Sequence, residues 1–182
     1  LHCEILEAIE CLKGNGPKDL IEVSFRLGGK ILMQSNTAKD IRSANKLMLD
    51  TINNGKAFKK FEEIINAQNG DISYLNSKYI IPKHEIAVIS NRHGFLSSLE
   101  TEKIGWSLVE IGCGRKVEKD KLDYSAGIEF IKKIGDKVNK GDTIYRIFGN
   151  NLKKLNNAKT ILDKTYFLTD VEVLKPKLII NK

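Results

Sequence analysis

The chain has 182 residues, 41% hydrophobic and 29% charged, with a formal net charge of +7. That is an ordinary soluble composition, enough for one large or two small cores. No run approaches the 18 apolar residues of a transmembrane helix, and no charged-then-apolar leader opens the chain, so nothing argues for secretion.

The charge is unevenly spread. Residues 1–71 carry ten Lys/Arg against ten Asp/Glu, so residues 72–182 supply the whole excess. A basic half can mark a nucleic-acid face. Here the lysines alternate with acids, as in Lys116-Val117-Glu118-Lys119-Asp120-Lys121. With no RNP-like aromatic strand and no basic recognition helix, a solvated lysine-rich surface is expected, and no nucleic-acid or membrane partner. Cys3 and Cys11 lie about 12 Å apart along one expected helix, too far for a disulfide. Neither they nor Cys113 sit at zinc-ligand spacing. Reduced cysteines and a cytoplasmic location are expected.

Taken in order, the first third reads as helix throughout. Ile5, Ala8, Ile9 and Leu12 recur at helical spacing. The chain is expected to be part of a longer one, because its first residues already read as mid-helix. Gly14-Asn15-Gly16-Pro17 is a break, and Pro17 suits the first turn of a second helix reaching about Gln34. Leu20, Val23, Leu27 and Ile31 form its stripe. Gly28-Gly29 costs about 1 kcal/mol per glycine there, and close approach of another backbone would explain the pair. A third helix is expected over about Ala38–Asn53, ended by Asn54-Gly55. A fourth spans about Lys56–Gln68, stopped by Asn69-Gly70-Asp71. Four such helices need something to cover, and a sheet upstream is the natural partner.

From Ser73 to Lys83 the helical period is lost, and the stretch reads as a linker. Beyond it come two short strands, Ile86–Val88 and Gly94–Leu99, and a helix over about Thr101–Ile111. The β-rich runs Gly127–Ile134 and Thr143–Phe148 follow, joined by the turn-rich segment Gly135–Asp142. A polar helix over about Leu152–Leu162 and strand-like stretches at Thr165–Leu168 and Leu178–Ile180 end the chain. The fold class is therefore α+β. The expected domains are residues 1–71, a linker at 72–83, and residues 84–182.

Few residues suggest chemistry. Gly112-Cys113-Gly114-Arg115 looks like a phosphate loop but follows a helix. There the dipole end is negative, whereas phosphate loops precede a helix. A tight C-terminal turn is expected instead. The pattern Gly135-Asp136-Lys137-Val138-Asn139-Lys140-Gly141-Asp142 also occurs in lipoyl and biotinyl carrier domains. Those need a modifiable lysine at a hairpin tip, and the matching place is Lys116, in a charged loop. His2, His84 and His93 are scattered, with no nucleophile or second ligand at catalytic spacing. On the residues alone, no catalytic residue and no cofactor-binding residue is assigned.

The order of these segments resembles the C-terminal part of the pyrimidine-nucleoside (thymidine) phosphorylases. The likeness runs from Glu4–Gly14 and Gly16-Pro17-Lys18-Asp19-Leu20 through Asn54-Gly55-Lys56-Ala57 and Ala67–Asp71. It continues in Gly112–Phe148 and in Lys175-Pro176-Lys177-Leu178-Ile179, where it is closer to the broad-specificity branch. The resemblance implies phosphorolysis of a pyrimidine nucleoside to base and pentose 1-phosphate. It implies a helical remnant of an α/β domain followed by a small barrel-sandwich-like α+β domain. Phosphate, nucleoside and the catalytic side chains would be bound upstream, and a homodimer would form through an upstream helical domain. It also implies a K⁺ ligand at Glu7, whose partners are upstream, so the site would be incomplete here. The solvated alternative for Glu7 is equally open, since Glu4 and Glu10 flank it. A carrier module and a nucleotide (AMP-type) phosphorylase remain the other readings.

Overall fold

The computed structural model describes residues 2–76 and 80–180. The described residues divide into two compact units, one of residues 2–3, 76 and 80–176, the other of residues 4–75 and 177–180. The sequence had suggested boundaries at 72–83, with the tail kept in the C-terminal domain. In the structure the last residues group with the helices.

The helical unit holds α1 (His2–Leu12, from Glu4 onward), α2 (Lys18–Gln34), α3 (Ile41–Asn53) and α4 (Lys56–Ala67). Pro17 is the N-cap of α2. The third helix begins three residues later than periodicity suggests, because Asp40 and Ser43 form a capping box. The Asp40 carboxylate accepts the Ser43 amide at 2.7 Å, and the Asp40 amide donates to Ser43 Oγ at 3.2 Å. Two orphan donors are thereby satisfied at the helix start. Gly28 and Gly29 face side chains of α3 and not a bare backbone. A Cβ on them would lie 2.6 Å from Met48 Cε and 2.5 Å from Ile41 Cδ1. The stripe of α2 is uncovered, with Leu27 and Ile31 59% and 63% exposed. A short 3-10 turn follows at Ile72–Asn76. The rest of the expected linker includes residues 77–79, outside the described residues.

The second unit contains α5 (Thr101–Ile111), α6 (Leu152–Leu162) and six strands among the described residues. These are β1 (His84–Ile89), β2 (Gly94–Leu99), β3 (Gly127–Phe130), β4 (Lys137–Val138), β5 (Thr143–Gly149) and β6 (Tyr166–Thr169). They form two antiparallel sheets of three, ordered β1-β5-β3 and β4-β2-β6. The architecture is α+β, and neither sheet closes into a barrel. The first β-rich run stops at Phe130, four residues short of expectation, and no strand forms at 178–180. Apolar β-branched residues favour a strand only where a partner edge is free to pair.

The core lies here. Val88, Leu96, Ile104, Ile111, Val138, Ile144, Tyr145, Ile147, Leu155 and Leu162 are all nearly inaccessible. Alternation along β5 sends Ile147 and Tyr145 inward. Burial pushes the phenols of Tyr145 and Tyr166 above their ordinary range. The folded chain therefore holds these protons when the unfolded chain has lost them. Its stability falls as pH rises past the unfolded tyrosine value of about 10. Denaturation midpoints measured across that range should drop, and the double substitution Tyr145→Phe, Tyr166→Phe should flatten the drop.

The segment between β3 and β5 contains two successive turns of one design. In Lys133–Asp136 the Asp136 amide donates to Lys133 O at 3.0 Å, and Gly135 has φ +91°. In Asn139–Asp142 the Asp142 amide donates to Asn139 O at 3.0 Å, and Gly141 has φ +93°. Positive φ at the third position is what a type II turn requires. Each aspartate also accepts the first amide of its own turn, at 2.8 Å from Lys133 and 3.0 Å from Asn139. Each turn then exchanges two backbone bonds with one residue. Leu96 gives to Asp136 O and accepts from the Gly135 amide; Ser90 does the same with Asp142 and Gly141.

Candidate functional site

Glu7 lies on the exposed face of α1 with Glu4 and Glu10. Its charge is felt locally: burial raises the Cys11 thiol, and Glu7 and then Glu10 add to that rise. No group of three His, Cys, Asp or Glu suited to a metal occurs among the described residues. A hard cation needs several oxygens, and Glu7 supplies a carboxylate alone.

Gly112-Cys113-Gly114-Arg115 is a helix end. Gly112 takes the left-handed conformation at φ 106°, its amide turned back to α5, and the Cys113 amide donates to Leu108 O at 2.9 Å. That returns the chain and satisfies late carbonyls of the helix. A phosphate would meet carbonyl oxygens there.

Lys116 sits in an irregular stretch with no strand on either side. Its ammonium contacts Glu110 at 2.5 Å, while its amide and that of Val117 donate to Asp120 at 2.9 and 3.1 Å. A polar crevice is lined by Glu110, Gly112, Gly114, Lys116, Asp120 and Lys154 among others. The Lys116 contact and an Asn157 amide hold the Glu110 carboxyl below its usual range. The Val117 and Lys116 amides do the same for Asp120. Lys116 fastens its loop to the end of α5, and the Asn157 side-chain amide of α6 donates to the same Glu110 carboxylate at 3.5 Å. No hairpin presents Lys116, so a carrier-type modification site is not formed.

The histidines are dispersed. His84 starts β1 opposite Gly149, and His93 Nδ1 accepts the Lys140 amide at 3.4 Å. Burial holds the His2 imidazole below its ordinary range.

The most connected polar group went unnoticed in the sequence. The Asp123 carboxylate accepts the Ser125 amide at 3.0 Å and the Ser125 hydroxyl at 2.6 Å. It also accepts the Asn150 backbone amide at 2.8 Å and side-chain amide at 3.0 Å. The local half, Asp123-Tyr124-Ser125, carries the signature of an Asx turn. Asn150, distant in sequence, carries none. The network braces the approach to β3 against the end of β5.

The family described as pyrimidine nucleoside phosphorylase C-terminal domain matches residues 95–169. That span runs from the second residue of β2 to the last of β6. The pyrimidine-nucleoside phosphorylase of Staphylococcus aureus is 34% identical over 168 residues, covering 88% of this chain and 39% of the relative. That of Staphylococcus epidermidis is 34% identical over 169 residues, with the same coverage. Together these matches support assignment of the chain to the C-terminal portion of the pyrimidine-nucleoside phosphorylase family. The chain spans about two-fifths of the length of these curated relatives, 39% in each case. The phosphorylase family match takes in both glycine-aspartate turns, the Asp123 network and the Lys116 loop. It leaves out β1, α1 to α4 and the tail, so Glu7 lies outside the matched residues. No helix among the described residues is long and apolar enough to cross a membrane.

Proposed function

We propose that this chain is the C-terminal part of a cytoplasmic pyrimidine-nucleoside phosphorylase, acting in phosphorolysis of uridine or thymidine to base and pentose 1-phosphate. The identity of 34% over 88% of the chain carries this reading. The nucleoside and phosphate would be held by residues outside these 182, since no catalytic constellation can be assembled from the histidines, Lys116 or Glu7. The second unit would serve as a barrel-sandwich-like domain beside the cleft, its core rigid enough to move as one body during closure. The enzyme would be a homodimer through its upstream helical domain. Glu7 would be one oxygen ligand of a K⁺ ion completed by upstream carbonyls.

The test is an assay for phosphate-dependent release of uracil and thymine. The enzyme containing this chain is expected to release base only with phosphate present, and the 182-residue chain alone to release none. Turnover by the isolated chain would overturn the placement of the chemistry. In the whole enzyme K⁺ is expected to raise the melting temperature, because an ion that binds only the folded form stabilises it. Glu7→Gln is expected to remove most of that rise, while the isolated chain melts alike in K⁺ and Na⁺. An unchanged K⁺ response would leave Glu7 a helix-face acid.

A further inference from the structure

Three Asn-Gly pairs lie in the helical unit: Asn15-Gly16, Asn54-Gly55 and Asn69-Gly70. Such a pair carries a reaction of its own. The glycine amide nitrogen can attack the asparagine side-chain carbonyl carbon, because no Cβ on the glycine obstructs the approach. The nitrogen must first leave any acceptor it holds, and the side chain any donor.

The three pairs differ in those holds. The Gly55 amide donates to Ile52 O at 3.1 Å, and the Asn54 side-chain oxygen accepts the Lys56 amide at 3.1 Å. The Gly70 amide donates to Ile65 O at 2.9 Å, and the Asn69 amide to Asn66 O at 3.0 Å. Both pairs lie at helix ends, after α3 and after α4. Asn15-Gly16 is built otherwise. The Asn15 backbone amide is bonded to Glu10 O at 2.8 Å, which fixes the residue and leaves its exposed side chain loose. Among the described residues, neither that side chain nor the Gly16 amide has a hydrogen-bond partner. The cause can be read in the chain. At Asn54 the donor comes from two residues on; at Asn15 that place is held by Pro17, which has no N–H. Nor does the fold leave room for a bulkier neighbour in place of Gly16. A Cβ there would lie 2.2 Å from Cys11 Sγ and 2.7 Å from Cys11 Cα.

We infer that Asn15-Gly16, in the turn between α1 and α2, is a site of spontaneous asparagine modification, while hydrogen bonds hold back the other two pairs. The Gly16 nitrogen bonds to Asn15 Cγ, the Cγ–Nδ2 bond breaks, and the Gly16 amide proton leaves with the side-chain nitrogen as ammonia. Water then opens the five-membered imide ring at either carbonyl. Opening at Cγ leaves aspartate. Opening at the main-chain carbonyl leaves isoaspartate, whose backbone runs through the former side chain and is one atom longer. Either product puts a negative charge beyond the C-terminal end of α1, where the helix dipole is already negative. The longer backbone also enters beside Gly16, which is already pressed against Cys11.

Peptide mapping by mass spectrometry tests this, after the 182-residue chain has stood folded at mildly alkaline pH. Asn15 should convert about fivefold faster than Asn54 or Asn69, or more, the rate equivalent of one net hydrogen bond. In urea the three rates should converge, because the local bonds are gone. Asn15→Gln, at an exposed position, should remove the fast conversion and leave the two slow ones as they were. If Asn15 stays intact while the urea sample converts, or if Asn54 or Asn69 keeps pace with it in the folded chain, the hydrogen bonds do not govern the reaction and the inference falls. It falls equally if Asn15 keeps its lead in urea, because the preference would then belong to its sequence neighbours and not to the fold.

Discussion

Replacing Tyr145 by alanine is expected to destabilise the second unit by about 4 kcal/mol, the usual cost of removing a large buried ring. The ring is fully buried at the middle of β5, the central strand of its sheet. It meets Phe130 and Tyr166 edge-on, at centroid distances of 5.4 and 6.2 Å. The backbone on both sides is hydrogen-bonded to β1 and β3, so the hole cannot collapse. Tyr145→Phe removes only the hydroxyl, which meets Thr165 Oγ1 at 3.3 Å, and should cost about 1 kcal/mol. Urea denaturation of the three proteins measures both numbers. Near-equal losses for the two variants would mean that the ring is not what fills the core.

Removing the Asp123 carboxylate by substitution to alanine is expected to cost about 3 kcal/mol, as four charge-assisted bonds, two of them to part-buried Ser125, are lost together. Ser125 is only 1% exposed, so its hydroxyl cannot turn to water. Asp123→Asn should recover little, because one carboxylate oxygen that faced amides becomes an amide itself. Exchange at the Asn150 amide should accelerate in both variants, and the loss should persist in high salt. A loss under 1 kcal/mol for Asp123→Ala, with Asn150 still protected, would show that water replaces the carboxylate.

What could be read in the sequence follows from the range of each interaction. The four N-terminal helices and α5 and α6 announce themselves within a dozen residues by period and by breakers such as Asn54-Gly55 and Gly112. The start of α3 was misplaced because Ala38 is apolar and buried, yet the helix waits for the Asp40–Ser43 box. The two-residue β4 is too short to leave a pattern. Leu178–Ile180 has strand composition and no strand to pair with. Asp123 and Lys175 find their partners far along the chain, at Asn150 and Asp136, and no periodicity encodes such distances. The resemblance pointed to a family, and the comparisons find the same family. Glu7 is one exposed acid among three on its helix face, and nothing in its local pattern sets it apart from Glu4 and Glu10.

The paired turns also fix how the chain can change over evolutionary time. Ser90 and Leu96 are six positions apart, and so are Gly135 and Gly141, the residues they grip. The two stretches therefore act like a zip fastener with two teeth on a common pitch. Adding or deleting one residue between Asp136 and Asn139, or between Ser90 and Leu96, leaves one tooth engaged and throws the other off its mate. Substitutions at the intervening lysines are free by comparison. Relatives should therefore differ in the letters of this stretch while keeping its length, and should place insertions in the loop that follows Arg115.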